Sequence, residues 1–268
     1  MKDSELKYWV ARRRVPSIGR ARFQLLLTKL GSLGEAWHAS RGTLTNAGLN
    51  SRSAAALSTA SSKIDPDAEM EQLAQAKVRA MTWNDPEYPS RLKEIYDPHP
   101  VLFIKGTLLP EDQRAVTIVG TRRATAYGRE TTAHLSAELA RTSVTIVSGL
   151  ARGIDAIAHR TALEAGGRTI AIVANGLDII YPPEHTSLAA QIVEHDAVVS
   201  EHPLGTRPEA RQFPRRNRIM SGMTPGTLVV EAPVNSGAIL TVRHALEQDR
   251  KVFCVPGQYI FPQQHGNE

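Results

Sequence analysis

Val116-Thr117-Ile118-Val119-Gly120-Thr121-Arg122-Arg123 opens the part of the chain whose reading decides the fold. Four apolar or β-branched residues are followed by a glycine, a hydroxyl and two cations, and a helix-length stretch then runs from Gly128 to Arg141. The pattern returns at Val144-Thr145-Ile146-Val147, which leads into Ser148-Gly149-Leu150-Ala151-Arg152-Gly153-Ile154-Asp155 and a second helix-length stretch to Ala165. Further apolar runs lie at Thr169 to Val173, Ala197 to Val199, Thr227 to Val230 and Val252 to Val255, with helix-length segments at Ser187 to His195 and Ala238 to Asp249. Short, nearly continuous β-branched runs suit strands buried on both faces, and their alternation with helices implies right-handed βαβ units. The expected fold is α/β, with an open, mostly parallel sheet and helices on both faces. Cys254, inside the last run, is expected to be a buried strand thiol.

Ligands of such sheets sit at the carboxyl ends of the strands, so the residues after each run are the candidates. Gly120, Thr121 and Arg122 form one turn, and Ser148, Gly149, Arg152 and Gly153 form a second. Glycine permits close backbone approach, a helix start presents unpaired N–H groups, and arginine offers a two-pronged donor to phosphate. Two readings of these turns are open: an anion pocket, or tight turns whose arginines pair with acids such as Asp155. Arg211-Gln212-Phe213-Pro214-Arg215-Arg216-Asn217-Arg218 joins cations to one aromatic ring, a mixture suited to single-stranded nucleic acid or to a solvated basic loop. Ser236-Gly237 begins another helix with a hydroxyl and a glycine, as an anion site or a plain cap.

Outward from this core, 268 residues are enough for one sizeable α/β unit and a small accessory one. The net charge of +5 decides little, whereas Gly205 to Arg218 holds five arginines against Glu209 alone. The charges of the first fourteen residues, with Arg12-Arg13-Arg14, leave no apolar stretch for a secretory leader or a membrane span, which implies a cytoplasmic protein. One cysteine allows neither a disulfide framework nor a cysteine zinc site, and the nine histidines lack metal-ligand spacing. No metal or cofactor is expected. Neither G-x-G-x-x-G nor a P-loop occurs, and no G-x-S-x-G or H-E-x-x-H is present. Glu201 and Glu231 follow strands and stand as candidate bases should the chain be a nucleotide phosphoribohydrolase-type enzyme. The first sixty residues read as short helices around Val15-Pro16-Ser17-Ile18-Gly19, a turn fit for a helix-hairpin-helix or a plain helical hairpin, and Ser58 to Asp67 reads as a linker.

The ordered blocks Val119-Gly120-Thr121-Arg122, Ser148 to Asp155 with Ala158-His159, Gly176-Leu177-Asp178, Tyr181-Pro182, Ser200-Glu201-His202-Pro203, Arg216-Asn217-Arg218-Ile219, Val229-Val230-Glu231-Ala232 and Val255-Pro256-Gly257 together resemble the DNA-processing protein A (DprA/Smf) family over nearly the whole chain. The resemblance implies a helix-hairpin-helix or SAM-like helical domain over 1–60, a linker and lead-in over 61–100, and an extended Rossmann-like domain over 101–268. It implies a non-enzymatic homodimer that binds incoming single-stranded DNA during natural transformation and loads RecA recombinase onto it. By matching position, Gly120, Thr121 and Arg122 would hold a backbone phosphate, Gly149, Arg152 and Gly153 would line the same pocket, and Phe213 to Arg218 would complete it. Two departures stand out: Ala174-Asn175 replaces a Gly-containing pair, and the sequence ends at Glu268 where members usually continue into a last helix and often a winged helix. No winged-helix domain is therefore expected.

Overall fold

A computed structural model describes residues 3–15, 17–233 and 236–257. The chain opens with helices α1 (Asp3–Arg12), α2 (Arg20–Leu30), α3 (Leu33–His38), α4 (Arg41–Asn46), α5 (Ser51–Ser61) and α6 (Pro66–Gln75). Then come β1 (Arg79–Thr82), α7 (Ser90–Glu94), β2 (Val101–Gly106), β3 (Ala115–Val119), α8 (Ala126–Arg141), β4 (Thr145–Ser148), α9 (Ile154–Glu164) and β5 (Thr169–Val173). The chain continues through α10 (Thr186–His195), β6 (Ala197–Ser200), α11 (Gln212–Met223), β7 (Gly226–Val229), α12 (Gly237–Glu247) and β8 (Lys251–Cys254).

One sheet carries all eight strands of the described residues in the order β1-β2-β6-β5-β4-β3-β7-β8. The six strands from β6 to β8 run parallel, and β2 joins β1 and β6 antiparallel. This is the expected α/β fold. Side chains of a strand alternate between faces, and β5 shows both cores at once. Ala171 and Val173 pack with Leu188, Ala189 and Ile192 of α10. Ile170 and Ile172 pack with Ile219, Met220 and Met223 of α11. Full burial of each valine, leucine, isoleucine or methionine side chain among them is worth about 1.5–3 kcal/mol, so the sheet is held from both sides.

The first core also contains the N-terminal helices, through Trp9, Phe23, Leu26 and Leu57. Trp9 meets Phe23 edge to face at 4.6 Å, and Trp83, just past β1, meets Phe23 at 5.4 Å. Helices and sheet thus share buried side chains.

Four expectations are corrected. The linker read over Ser58 to Asp67 is mostly helical, and 61–100 contains α6, β1 and α7. The sheet begins ahead of the Rossmann-like domain expected over 101–268, with β1, where only Thr82 is β-branched. The basic strip from Arg211 is not a loop, because α11 begins at Gln212. Cys254 is exposed, since β8 is the last strand of the sheet and Phe253 beside it is 51% exposed. Pro16 of the proposed turn and the last eleven residues lie outside the described residues. Among the described residues no helix is long and apolar enough to cross a membrane.

His159 of α9 is fully buried. Thr169 Oγ1 donates its single hydrogen to the Ile146 carbonyl (2.9 Å), so the imidazole must donate through Nδ1 to that oxygen (2.6 Å). Nε2 has no partner among the described residues, and burial pushes the pKa down to about 3. The unfolded chain therefore takes up a proton that the folded one refuses between about pH 6.5 and 3. Stability from this group is fully present above that window and is lost as pH falls through it. Asp196, raised by burial to about 6, acts in the opposite sense. The drop in urea midpoint from pH 7 to pH 5 is accordingly expected to be smaller in His159→Gln than in the wild type, which isolates the histidine.

Candidate nucleic-acid interface

From β3 the chain crosses to β4 on one side, while β7 lies on the other, paired through Thr117 with Thr227 and Ile118 with Leu228. The crossovers diverge there, and an open α/β sheet forms its crevice above the carboxyl ends of such strands. A cavity of about 640 Å³ occupies this place.

The structure brings together Gly120, Thr121 and Arg122 from the β3 turn, Phe213, Arg216 and Asn217 from α11, and Ser236 and Gly237 from the start of α12. A small recess beside it adds Gly149, Arg152, Tyr181 and Pro182. Other expected residues stand elsewhere. Ser148 is fully buried and donates to the Ile118 carbonyl (2.7 Å), so its hydroxyl serves the sheet. Gly153, with φ of +74°, lies against the backbone of Thr121 and Arg122, where no side chain would fit, and shapes the turn without lining the cavity. Arg211 is exposed and paired with Glu209 (2.6 Å). Arg215 and Arg218 lie on the opposite side of α11.

The division follows from helical geometry. Residues four apart share a face, so Phe213, Arg216, Asn217 and Met220 point one way while Gln212, Arg215 and Arg218 point another. Read as an extended strip the five arginines formed one patch, and the helix separates them.

Arg216 is the unusual member. It is 4% exposed, its Nη1 donates to the Ile172 carbonyl at the end of β5, and its Nε has no partner among the described residues. Burial pulls its pKa down to about 10, Asp155 opposes that shift, and Arg122 adds to it, so the group stays cationic at neutral pH. Asp155 is the one acid of the lining among the described residues, and burial raises its pKa. Its carboxylate is engaged with the amides of Gly149 (3.1 Å) and Ala151 (3.2 Å). Two guanidinium groups thus face one space, Arg122 from the surface and Arg216 from below.

Around them, Phe213 is half-buried, with the Arg122 guanidinium 5.8 Å from its ring centre and the Tyr181 ring at 5.7 Å. Ser236 Oγ, at the N-terminus of α12, has no partner among the described residues. Arg152 is held by Glu184 across 2.5 Å. Sequence reasoning assigned no role to Tyr181. Its spacing from Phe213 is not local, so no motif could reveal the pair.

The two acids considered as bases do not meet. Glu231 Oε2 accepts from the Thr125 amide (3.0 Å) and hydroxyl (3.1 Å) at the start of α8. Glu201 lines a different groove and accepts from Arg218 (2.6 Å). Among the described residues no group of three metal-binding side chains forms.

The model of the DNA recombination-mediator protein A family matches residues 79–268. The chain belongs to that family. A family relative, protein Smf of Synechocystis sp., is 38% identical over 99% of this chain and 68% of its own length. The structure of DNA processing protein A from Streptococcus pneumoniae superposes with a TM-score of 0.82 and 32% identity, covering 95% of this chain and 88% of that one. DNA processing protein A of Helicobacter pylori, whose structure was reported for its single-stranded DNA binding mode, gives 0.62 and 29%, over 69% of this chain and 84% of that one. The chain spans about half to two thirds of the length of several curated relatives that it matches.

A methyl group on Gly149 would lie inside the Arg216 guanidinium. Gly149→Ala is expected to cost about 1–3 kcal/mol, as overpacking in a close-packed site does, read as a lower urea midpoint with an unchanged slope.

Proposed function

We propose that the chain binds single-stranded DNA in the crevice above β3 and β7, without catalysing a reaction on it. The observation that supports this most is the pair Arg122 and Arg216: two guanidinium groups facing one cavity whose only lining acid among the described residues is engaged by backbone amides. A buried cation with an unpartnered N–H is costly to leave alone, and a phosphate oxygen supplies both the charge and the acceptor it lacks. The Ser236 hydroxyl at the N-terminus of α12 extends the same chemistry.

Preference for a single strand rests on Phe213 and Tyr181. Their ring faces are of use only to bases that are not already stacked in a duplex. Glu201 and Glu231, each held by other groups and lining no common space, give the hydrolase reading neither of its two candidate bases in the crevice. By family membership, the bound strand is DNA taken up in natural transformation, and the chain acts in the cytoplasm as a homodimer that loads RecA recombinase. No surface of the described residues is assigned to either partner.

Arg122→Ala removes one charge-assisted contact, worth about 1.5–3 kcal/mol, or roughly ten- to a hundredfold in affinity. Fluorescence anisotropy with a labelled oligothymidylate is expected to show that loss together with a salt slope shallower by about one unit. Unchanged affinity and slope, or equal affinity of the wild type for duplex, would overturn the proposal. Glu184→Gln releases Arg152 from its partner and should tighten binding about two- to fivefold at low salt, a gain that fades as salt is raised.

A further inference from the structure

The opposite face of α11 borders a second cavity, of about 860 Å³, between the end of α1 and the carboxyl end of β6. Among the described residues its lining holds six arginines, at 12, 13, 14, 20, 215 and 218, and two acids, Asp97 and Glu201. Both acids are occupied. Glu201 Oε2 lies 2.6 Å from Arg218 and 3.3 Å from His99, and Asp97 lies 3.8 Å from Arg218. Arg14 is likewise spent, on Glu69 and on the Leu204 carbonyl.

What remains is an excess of buried donors. Arg12 is 2% exposed and rests on the Phe23 ring, 4.9 Å from its centre, while its Nε and Nη2 have no partner among the described residues. Arg13 gives Nη2 to the Glu201 carbonyl (2.9 Å) and keeps Nε unpartnered, as Arg218 keeps Nη1. His202 Nε2 is also buried without a partner among them, and burial lowers that ring's pKa. Arg215, exposed at the rim, makes no ion pair among the described residues.

Unmatched guanidinium groups at this density require an anion with several oxygens. Continuity with the crevice indicates which one. Pro214 lines both cavities, and only the first turn of α11, about 10 Å across, separates them. We propose that this groove is a second backbone site, which receives the phosphates of the same single strand after it leaves the crevice over the N-terminus of α11, a reading that rests on the proposed function of the crevice. The strand then follows a path from Arg122 and Arg216, over Pro214 and Arg215, to Arg12 and Arg13 between sheet and helices.

Arg12 packs against the core and its replacement endangers the fold, so the exposed Arg215 carries the test. Anisotropy is measured with oligothymidylates of about 4 and about 16 nucleotides, the range that single-strand sites cover, for wild type, Arg215→Ala and Arg215→Glu. The short oligomer is expected to bind all three alike. The long one should lose about tenfold with Ala, more with Glu, and about one unit of salt slope with Ala. Equal loss at both lengths, or no loss at the long one, overturns the second site while leaving the crevice intact. Loss of thermal stabilisation by inorganic phosphate in Arg215→Glu, with long-oligomer affinity unchanged, also overturns it by marking a site for small anions. A short oligomer whose binding ignores Arg122→Ala instead overturns the crevice reading itself.

Discussion

A guanidinium out of water is the constraint around which this molecule is arranged. Removing a charge from solvent costs several kcal/mol even after relaxation, and Arg216 recovers part of that from the Ile172 carbonyl and from the field of Asp155. Each of these partners belongs to a different part of the sheet. The carbonyl comes from β5, Asp155 from the first turn of α9, and the room for the side chain from the absence of a Cβ at Gly149. Placing one cation therefore fixes the end of β5, the turn after β4 and the docking of α11 through Ile219, Met220 and Met223. The cation in turn explains why the crevice is built to receive negative charge.

The parallel sheet was legible because its strands announce themselves one by one. Runs such as Val116 to Val119 and Thr169 to Val173 are β-branched, short and bounded by turn residues, and burial on both faces removes any need for alternation. Legibility ended where a residue's environment depends on distant neighbours. β1 pairs with β2 through a sequence with little strand character. β8 has the apolar composition of an inner strand, yet the sheet order puts it last, so Cys254 meets solvent. For α11 the obstacle was chemical. Its buried face carries Arg216 and Asn217 where an apolar pattern would be sought, and its buried apolar side chains, Ile219, Met220 and Met223, fall in the second half.

The candidate site was legible to the same degree and for the same reason. Glycine turns after strands are local features, and those at Gly120 and Gly149 do stand at one rim. Which arginines accompany them depends on the handedness and pitch of a helix. Arg216 and Arg218, two positions apart, part company there. Arg12 and Arg13, which in sequence argued only against a secretory leader, come to face α11 because the N-terminal helices share a core with the sheet.

Glu231 gives the crevice one further property. Its carbonyl accepts from the Thr121 amide (2.6 Å) while its carboxylate holds the Thr125 amide and hydroxyl. The exit of β7 is in this way stapled to the entrance of α8, straight across the divide in the sheet. With the mouth braced before a ligand arrives, little conformational freedom on the protein side remains to be surrendered. The burden of ordering then falls on the floppy nucleic-acid chain, and stiffness of that chain becomes the quantity to which association answers.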